Sequence, residues 1–139
     1  MELSTHLCFD GQCEIAFRTY EQLLGGKVTT MLAYGDSPMA EQVRPEWRKR
    51  IVHASLELDG HTLLGADVFA DDFERARGFF VTLSVEEVVR AKLLFEALAD
   101  GGEVRMPFQE TFWSAGFGVL VDRFGVPWEI NSEQPPSDA

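Results

Sequence analysis

Apolar positions along this chain change their spacing several times, and each change marks an element. Residues 3–9 alternate apolar and polar, as a half-buried strand does. Cys13, Ala16, Phe17, Tyr20, Leu23 and Leu24 then recur at helical spacing, a single apolar stripe. Asp10 precedes that stripe as a candidate N-cap, and Gly25-Gly26 ends it. Residues 27–34 are rich in Val, Thr and Tyr and predict a second strand. Residues 35–50 break the pattern with Pro38, Pro45 and the bases Arg44, Arg48, Lys49 and Arg50, which predicts a long loop with a helical turn after Pro45. Two further strands, 51–58 and 61–67, flank Asp59-Gly60, a strong hairpin signal.

After an acidic loop, 68–77, the same succession begins again. Residues 79–85 predict a strand, and Ser84-Val-Glu-Glu87 reads as a capping box. Val88, Ala91, Leu94, Phe95 and Leu98 form the second helical stripe, closed by Gly101-Gly102. Strands follow at 103–108, 117–121 and 126–130, the last two meeting at the turn Asp122-Arg-Phe-Gly125. Alternation in the last strand puts Trp128 and Ile130 on one face and Glu129 and Asn131 on the other.

The two halves match at an offset of 76 residues: Leu7 with Leu83, Phe9 with Val85, Gly25-Gly26 with Gly101-Gly102, Val28 with Val104. The order of elements is also the same. The expected fold is therefore α+β: two βαβββ modules, about 3–67 and 79–131, in one domain over 1–131. Two curved mixed sheets of this kind, side by side, would enclose a cleft. The segment 132–139 has nothing evident to pack and is expected to be a disordered tail.

Composition narrows the function classes. Of 139 residues 45% are hydrophobic and 25% charged, a globular balance. A net charge of −11 argues against nucleic acid and anionic membrane surfaces, which demand basic patches. No apolar run approaches the roughly 18 residues of a membrane span, and the first residues lack the basic and apolar regions of a signal peptide. Cys8 and Cys13 fit no metal or redox spacing, so reduced thiols in a cytoplasmic protein are expected. No nucleophile elbow, Ser-His-Asp order or phosphate loop is present.

Several motifs together carry a family resemblance: Phe9-Asp10-Gly11, His53-Ala54, Met106-Pro107, Gln109-Glu-Thr-Phe-Trp113, and Asp122 through Phe124-Gly-Val-Pro-Trp128. As a set, over roughly residues 3–131, they resemble the vicinal oxygen chelate superfamily of glyoxalase I, bleomycin-resistance proteins and extradiol dioxygenases. The nearer likeness is to its PhnB-like branch, also called demethylubiquinone methyltransferase-like. No glycine-rich loop of the usual methyl-donor kind supports the methyltransferase wording.

That resemblance implies a cleft and, in the superfamily's enzymes, one divalent metal held by His, Glu or Gln. Carried onto this chain, the ligand positions fall at Ser4, near Leu64, at Phe80 and at Glu129. Only Glu129 is of a ligating type there. His6 lies on the same strand face as Ser4 and offers a substitute; His53 and Asp67 are further candidates. The leading expectation is thus a small-molecule-binding protein without the usual metal site. No cofactor is expected, a divalent metal being possible through Glu129 and His6. The candidate ligand-binding residues are His6, Phe80, Trp113 and Glu129, with Trp128, Phe112 and Phe117 as further aromatic lining. The competing reading is a metal-dependent lyase, isomerase or dioxygenase with a rebuilt ligand set, so whether the chain is an enzyme stays open. A third is a filled cleft whose dimer surface is the function. The resemblance also implies a homodimer, with a small organic molecule as the other partner.

Overall fold

The computed structural model describes residues 1–137, which divide into two compact units, Met1–Glu74 and a second beginning at Arg75. The first holds β1 (Thr5–Phe9), α1 (Cys13–Leu24), β2 (Lys27–Ala33), β3 (Ile51–Leu58) and β4 (His61–Asp67). The second holds β5 (Val81–Val85), α2 (Val88–Ala99), β6 (Glu103–Gln109), β7 (Phe117–Val121) and β8 (Pro127–Ser132). The α+β architecture of two βαβββ modules is as the repeat implies. Short 3-10 turns, Tyr34–Asp36, Pro45–Trp47 and Ala70–Asp72, punctuate the long loops.

Each unit has its own open, four-stranded mixed sheet, ordered β1-β4-β3-β2 in one and β5-β8-β7-β6 in the other. In both, the first strand runs parallel to the last and all other pairings are antiparallel. The registers repeat too. His6 stands opposite Leu64 as Thr82 stands opposite Glu129, and Leu7 opposite Gly65 as Leu83 opposite Ile130.

One face of each sheet is covered by that unit's helix. α1 buries Cys13, Ala16, Phe17, Tyr20 and Leu24 against Leu7 and Phe9 of β1 and Ala54 and Leu56 of β3. Phe9 meets Phe17 edge-on at 6.1 Å. Phe17 lies so close over Gly65 that a Cβ there would stand 2.5 Å from its ring, so the helix seats on bare backbone. In the second unit α2 buries Ala91, Leu94, Phe95 and Leu98. Phe95 lies over Gly118 in the same manner, and Leu120, Trp128 and Ile130 complete the core.

Both helix starts depart from the local caps the sequence suggests. The residue at the cap of α1 is Gln12, not Asp10, and that of α2 is Glu87; neither side chain bonds back. The donor at Cys13 N is instead met by Asp67 Oδ1 at 3.0 Å, reaching over from the end of β4. Asp67 Oδ2 accepts from Ile51 N at 2.8 Å. The donor at Val88 N is met by Gln134 Oε1 at 2.7 Å. A carboxylate that satisfies two backbone donors at 1% exposure is occupied as a structural acceptor, which removes Asp67 from the metal candidates. Asp122, also buried, organises the turn ahead of β8. It accepts from Phe124 N, Val126 N and the Trp128 indole at 2.9, 3.0 and 2.9 Å.

The expected tail needs correction at its start. Ser132 is the last residue of β8 and 1% exposed. Its N–H donates to Gly116 O, Glu133 N–H donates to Val85 O, and Ala115 N–H donates to Gln134 O. Ser137 donates twice to Glu110 Oε1. Backbone groups left open at the ends of β5 and β7 hold the segment. Residues 138 and 139 lie outside the described residues. The first strands begin later than alternation suggests, at Thr5 and Val81, since Leu3 and Phe79 have no partner strand there.

At the β3–β4 hairpin both turn residues are left-handed, Asp59 at φ 48° and Gly60 at φ 81°. No atom lies within 4 Å of a Cβ added at Gly60, so a substitution meets only backbone strain. Gly60→Ala is expected to cost about 1 kcal/mol in urea unfolding with the fold unchanged. An unaltered unfolding midpoint would contradict the turn geometry.

Candidate functional site

Strands with one face under a helix leave the other face for polar and functional side chains. In the second unit Trp128, Ile130 and Ser132 of β8 point to α2, so Glu129 and Asn131 belong to the uncovered face. Strand pairing then sets their neighbours. One row across the sheet reads Thr82, Glu129, Val119, Met106; the next reads Ser84, Asn131, Phe117, Gln109.

Within the first row Thr82 Oγ1 donates to Glu129 Oε1 at 2.9 Å. No ion pair found among the described residues includes Glu129. In the second row Asn131 Oδ1 is buried and has no hydrogen-bond partner among the described residues. Beside it rises an aromatic ladder: Phe117 meets Trp113 at 5.1 Å and Trp113 meets Phe112 at 4.8 Å, both edge-on. Trp113 is 47% exposed and Phe112 90%. The loop carrying them, between β6 and β7, is fastened from below. Ser114 is fully buried, and its hydroxyl lies 2.7 Å from Ser132 O and 2.8 Å from Gly116 O. Phe80 stands just before β5, 42% exposed.

The structure therefore gives three of the four candidates to the second unit: Phe80, Trp113 and Glu129. Glu129 faces as alternation requires, and Trp113 joins the uncovered face through Phe117. Trp128 drops out of any lining; it is 1% exposed and bonded to Asp122. Thr82, Asn131 and Ser114 were not singled out from the sequence. The repeat offset applied to His6 would have reached Thr82, whereas Ser114 leaves no sequence signal.

His6 belongs to the first unit, on the uncovered face of its sheet. Its Nδ1 lies 3.8 Å from Cys8 Sγ, two residues along the strand. His53, on β3, is near enough to act on it electrostatically. Among the described residues no three His, Cys, Asp or Glu side chains are grouped as a metal site. Both cysteines are free; Cys8 is exposed, whereas burial pushes the Cys13 thiol far up and leaves it protonated. The ligand positions implied by the resemblance can also be tested by donor chemistry. The paired registers make Leu64 the counterpart of Glu129. Leu64 and Phe80 have no donor atom, so these four residues do not fit the superfamily's usual ion.

Partial burial, then the neighbouring His53 imidazole, hold the His6 pKa below the ordinary value. The folded protein thus prefers His6 neutral, and this contribution to stability is lost as pH falls from about 6.5 through the folded-state value. Proton NMR is expected to show His6 titrating below about 6.5, moving upward in His53→Gln. A His6 midpoint that ignores His53→Gln would contradict this coupling.

Comparison with known proteins gives the family and the fold. Residues 1–131 match the family described as 3-demethylubiquinone-9 3-methyltransferase. The chain is similar to protein YjdN of Escherichia coli K12, 33% identical over 145 residues, covering 97% of this chain and 99% of that one. It is similar to the crystal structure of protein PA1353 from Pseudomonas aeruginosa, with TM-score 0.88 and 40% identity, covering 96% of this chain and 98% of that one. A PhnB protein from Bacillus cereus superposes with TM-score 0.81 at 23% identity, over 95% and 99% of the two chains. In fold alone the likeness extends to a glyoxalase/bleomycin resistance protein/dioxygenase family enzyme and to the fosfomycin resistance protein FosX, at TM-scores of 0.63 and 0.60. The chain belongs to the family described as 3-demethylubiquinone-9 3-methyltransferase, and it has the fold of the glyoxalase/bleomycin resistance proteins.

Proposed function

We propose that this chain is a small-molecule-binding protein whose recognition surface is the uncovered face of the second sheet. One observation carries the reading: Glu129 stands on that face with Thr82 as its partner, in the row next to a solvent-facing aromatic ladder. A few polar groups among apolar walls are the common makeup of an organic ligand site. Glu129 supplies polar recognition, Trp113 and Phe80 the apolar contact. His6 has its own setting beside Cys8 and His53, and the reading does not rest on it.

Methyl transfer forms no part of this reading, although the family description and the Bacillus cereus relative carry that wording. The paired glycines follow helices and Gly60 and Gly125 occupy hairpin turns, so no glycine-rich run lies between a strand and a helix. We also carry over the homodimer from the superfamily resemblance; a monomer mass in analytical ultracentrifugation at micromolar concentration would contradict it. The free thiols suit the reducing, cytoplasmic setting that goes with the proposal.

A thermal-shift screen of small organic molecules on wild type and Glu129→Gln tests the site. Compounds that stabilise the wild type are expected to lose most of their effect in the variant. An identical set of stabilising compounds in both would remove Glu129 from recognition. Tight one-to-one binding of nickel, zinc or iron by the untagged protein, abolished by Glu129→Gln, would replace this reading with a metal-dependent enzyme.

A further inference from the structure

We propose that this face selects organic cations: a protonated amine carried on a flat aromatic ring. The inference rests on the binding reading above and adds the chemical class of the ligand.

Two side-chain oxygens without a cationic partner among the described residues lie in neighbouring rows of this face, beside hydroxyl and amide groups. Glu129 is a carboxylate with one oxygen engaged by Thr82 and no ion pair among the described residues. Asn131 Oδ1, in the neighbouring row, is buried and has no donor among the described residues. An ammonium has three donors, no acceptor and the charge opposite to that of Glu129. An alcohol has one donor to give. A carboxylate ligand has none and meets Glu129 as a like charge.

The apolar part of the surface suits the same class. Trp113 and Phe112 leave ring area exposed next to the Asn131 row, Trp113 edge-on against Phe117 and Phe112 edge-on against Trp113. Aromatic faces take a flat ring by stacking and a cation by the attraction of the ring quadrupole. The chain's net charge of −11 acts in the same direction from a distance, drawing cations in and holding anions off.

Three probes of nearly one shape separate charge from shape: tryptamine, tryptophol and indole-3-propionate. Calorimetric titration at pH 7 and low salt is expected to show tryptamine binding at least tenfold tighter than tryptophol, with indole-3-propionate weakest. Glu129→Gln is expected to bring the amine to the level of the alcohol. Asn131→Asp, nearly isosteric, adds a second carboxylate and is expected to widen the gap; it serves if the first variant does not fold. Added salt should weaken the amine selectively. Equal binding of tryptamine and tryptophol, or tighter binding of the acid, would overturn the cation rule while leaving a small-molecule site in place. A preference for the amine that persists in Glu129→Gln would overturn the assignment to this carboxylate. No heat from any of the three at millimolar concentration would overturn both the inference and the binding reading beneath it.

Discussion

Each module depends on a parallel pairing between its first and last strands, β1 with β4 and β5 with β8. A parallel pair cannot be closed by a tight turn; the chain must cross over and return. Here the return takes a helix and a three-strand meander, and the helix comes to lie on one face of the sheet it has just helped to close. That leaves each strand one face under the helix and one face turned away from it. The same pairing brings the end of the last strand beside the start of the helix. So Asp67, 54 residues away in sequence, satisfies Cys13 N, and Gln134, 46 residues away, satisfies Val88 N. The helix is capped by the strand that completes the sheet rather than by its own neighbours.

The sequence displays periodicity clearly and long-range partners poorly. β3 and β4 begin and end where alternation and Asp59-Gly60 place them, because hairpin chemistry is local. The two N-caps do not follow the local signals at Asp10 and Ser84, because partners more than 40 residues away supply the acceptors. The tail was illegible for a related reason: Ser132 and Glu133 have no apolar pattern of their own and are held by carbonyls of Gly116 and Val85. At the candidate site, the facing of Glu129 follows from alternation alone. Its partner Thr82 needs the strand pairing, and the unsatisfied oxygen of Asn131 needs the packing.

A fold shared with other proteins does not decide what this chain does, since function resides in the site and not the fold. The internal repeat makes the point within one molecule. Leu64 and Glu129 occupy equivalent places in equivalent strands, one facing His6 and the other Thr82. The same register thus carries an aliphatic side chain in one unit and a carboxylate in the other. In its own row the carboxylate stands with Thr82, Val119 and Met106, and the aromatic ladder rises from the next row.

The most direct test is to watch the backbone of that face during binding. Amide spectra of isotope-labelled protein, recorded while a stabilising compound is added, report which strands meet it. The account predicts that the largest shifts fall on Thr82, Trp113, Phe117, Glu129 and Asn131. Shifts confined to α2 and the residues packed beneath it, or to the first unit, would contradict it.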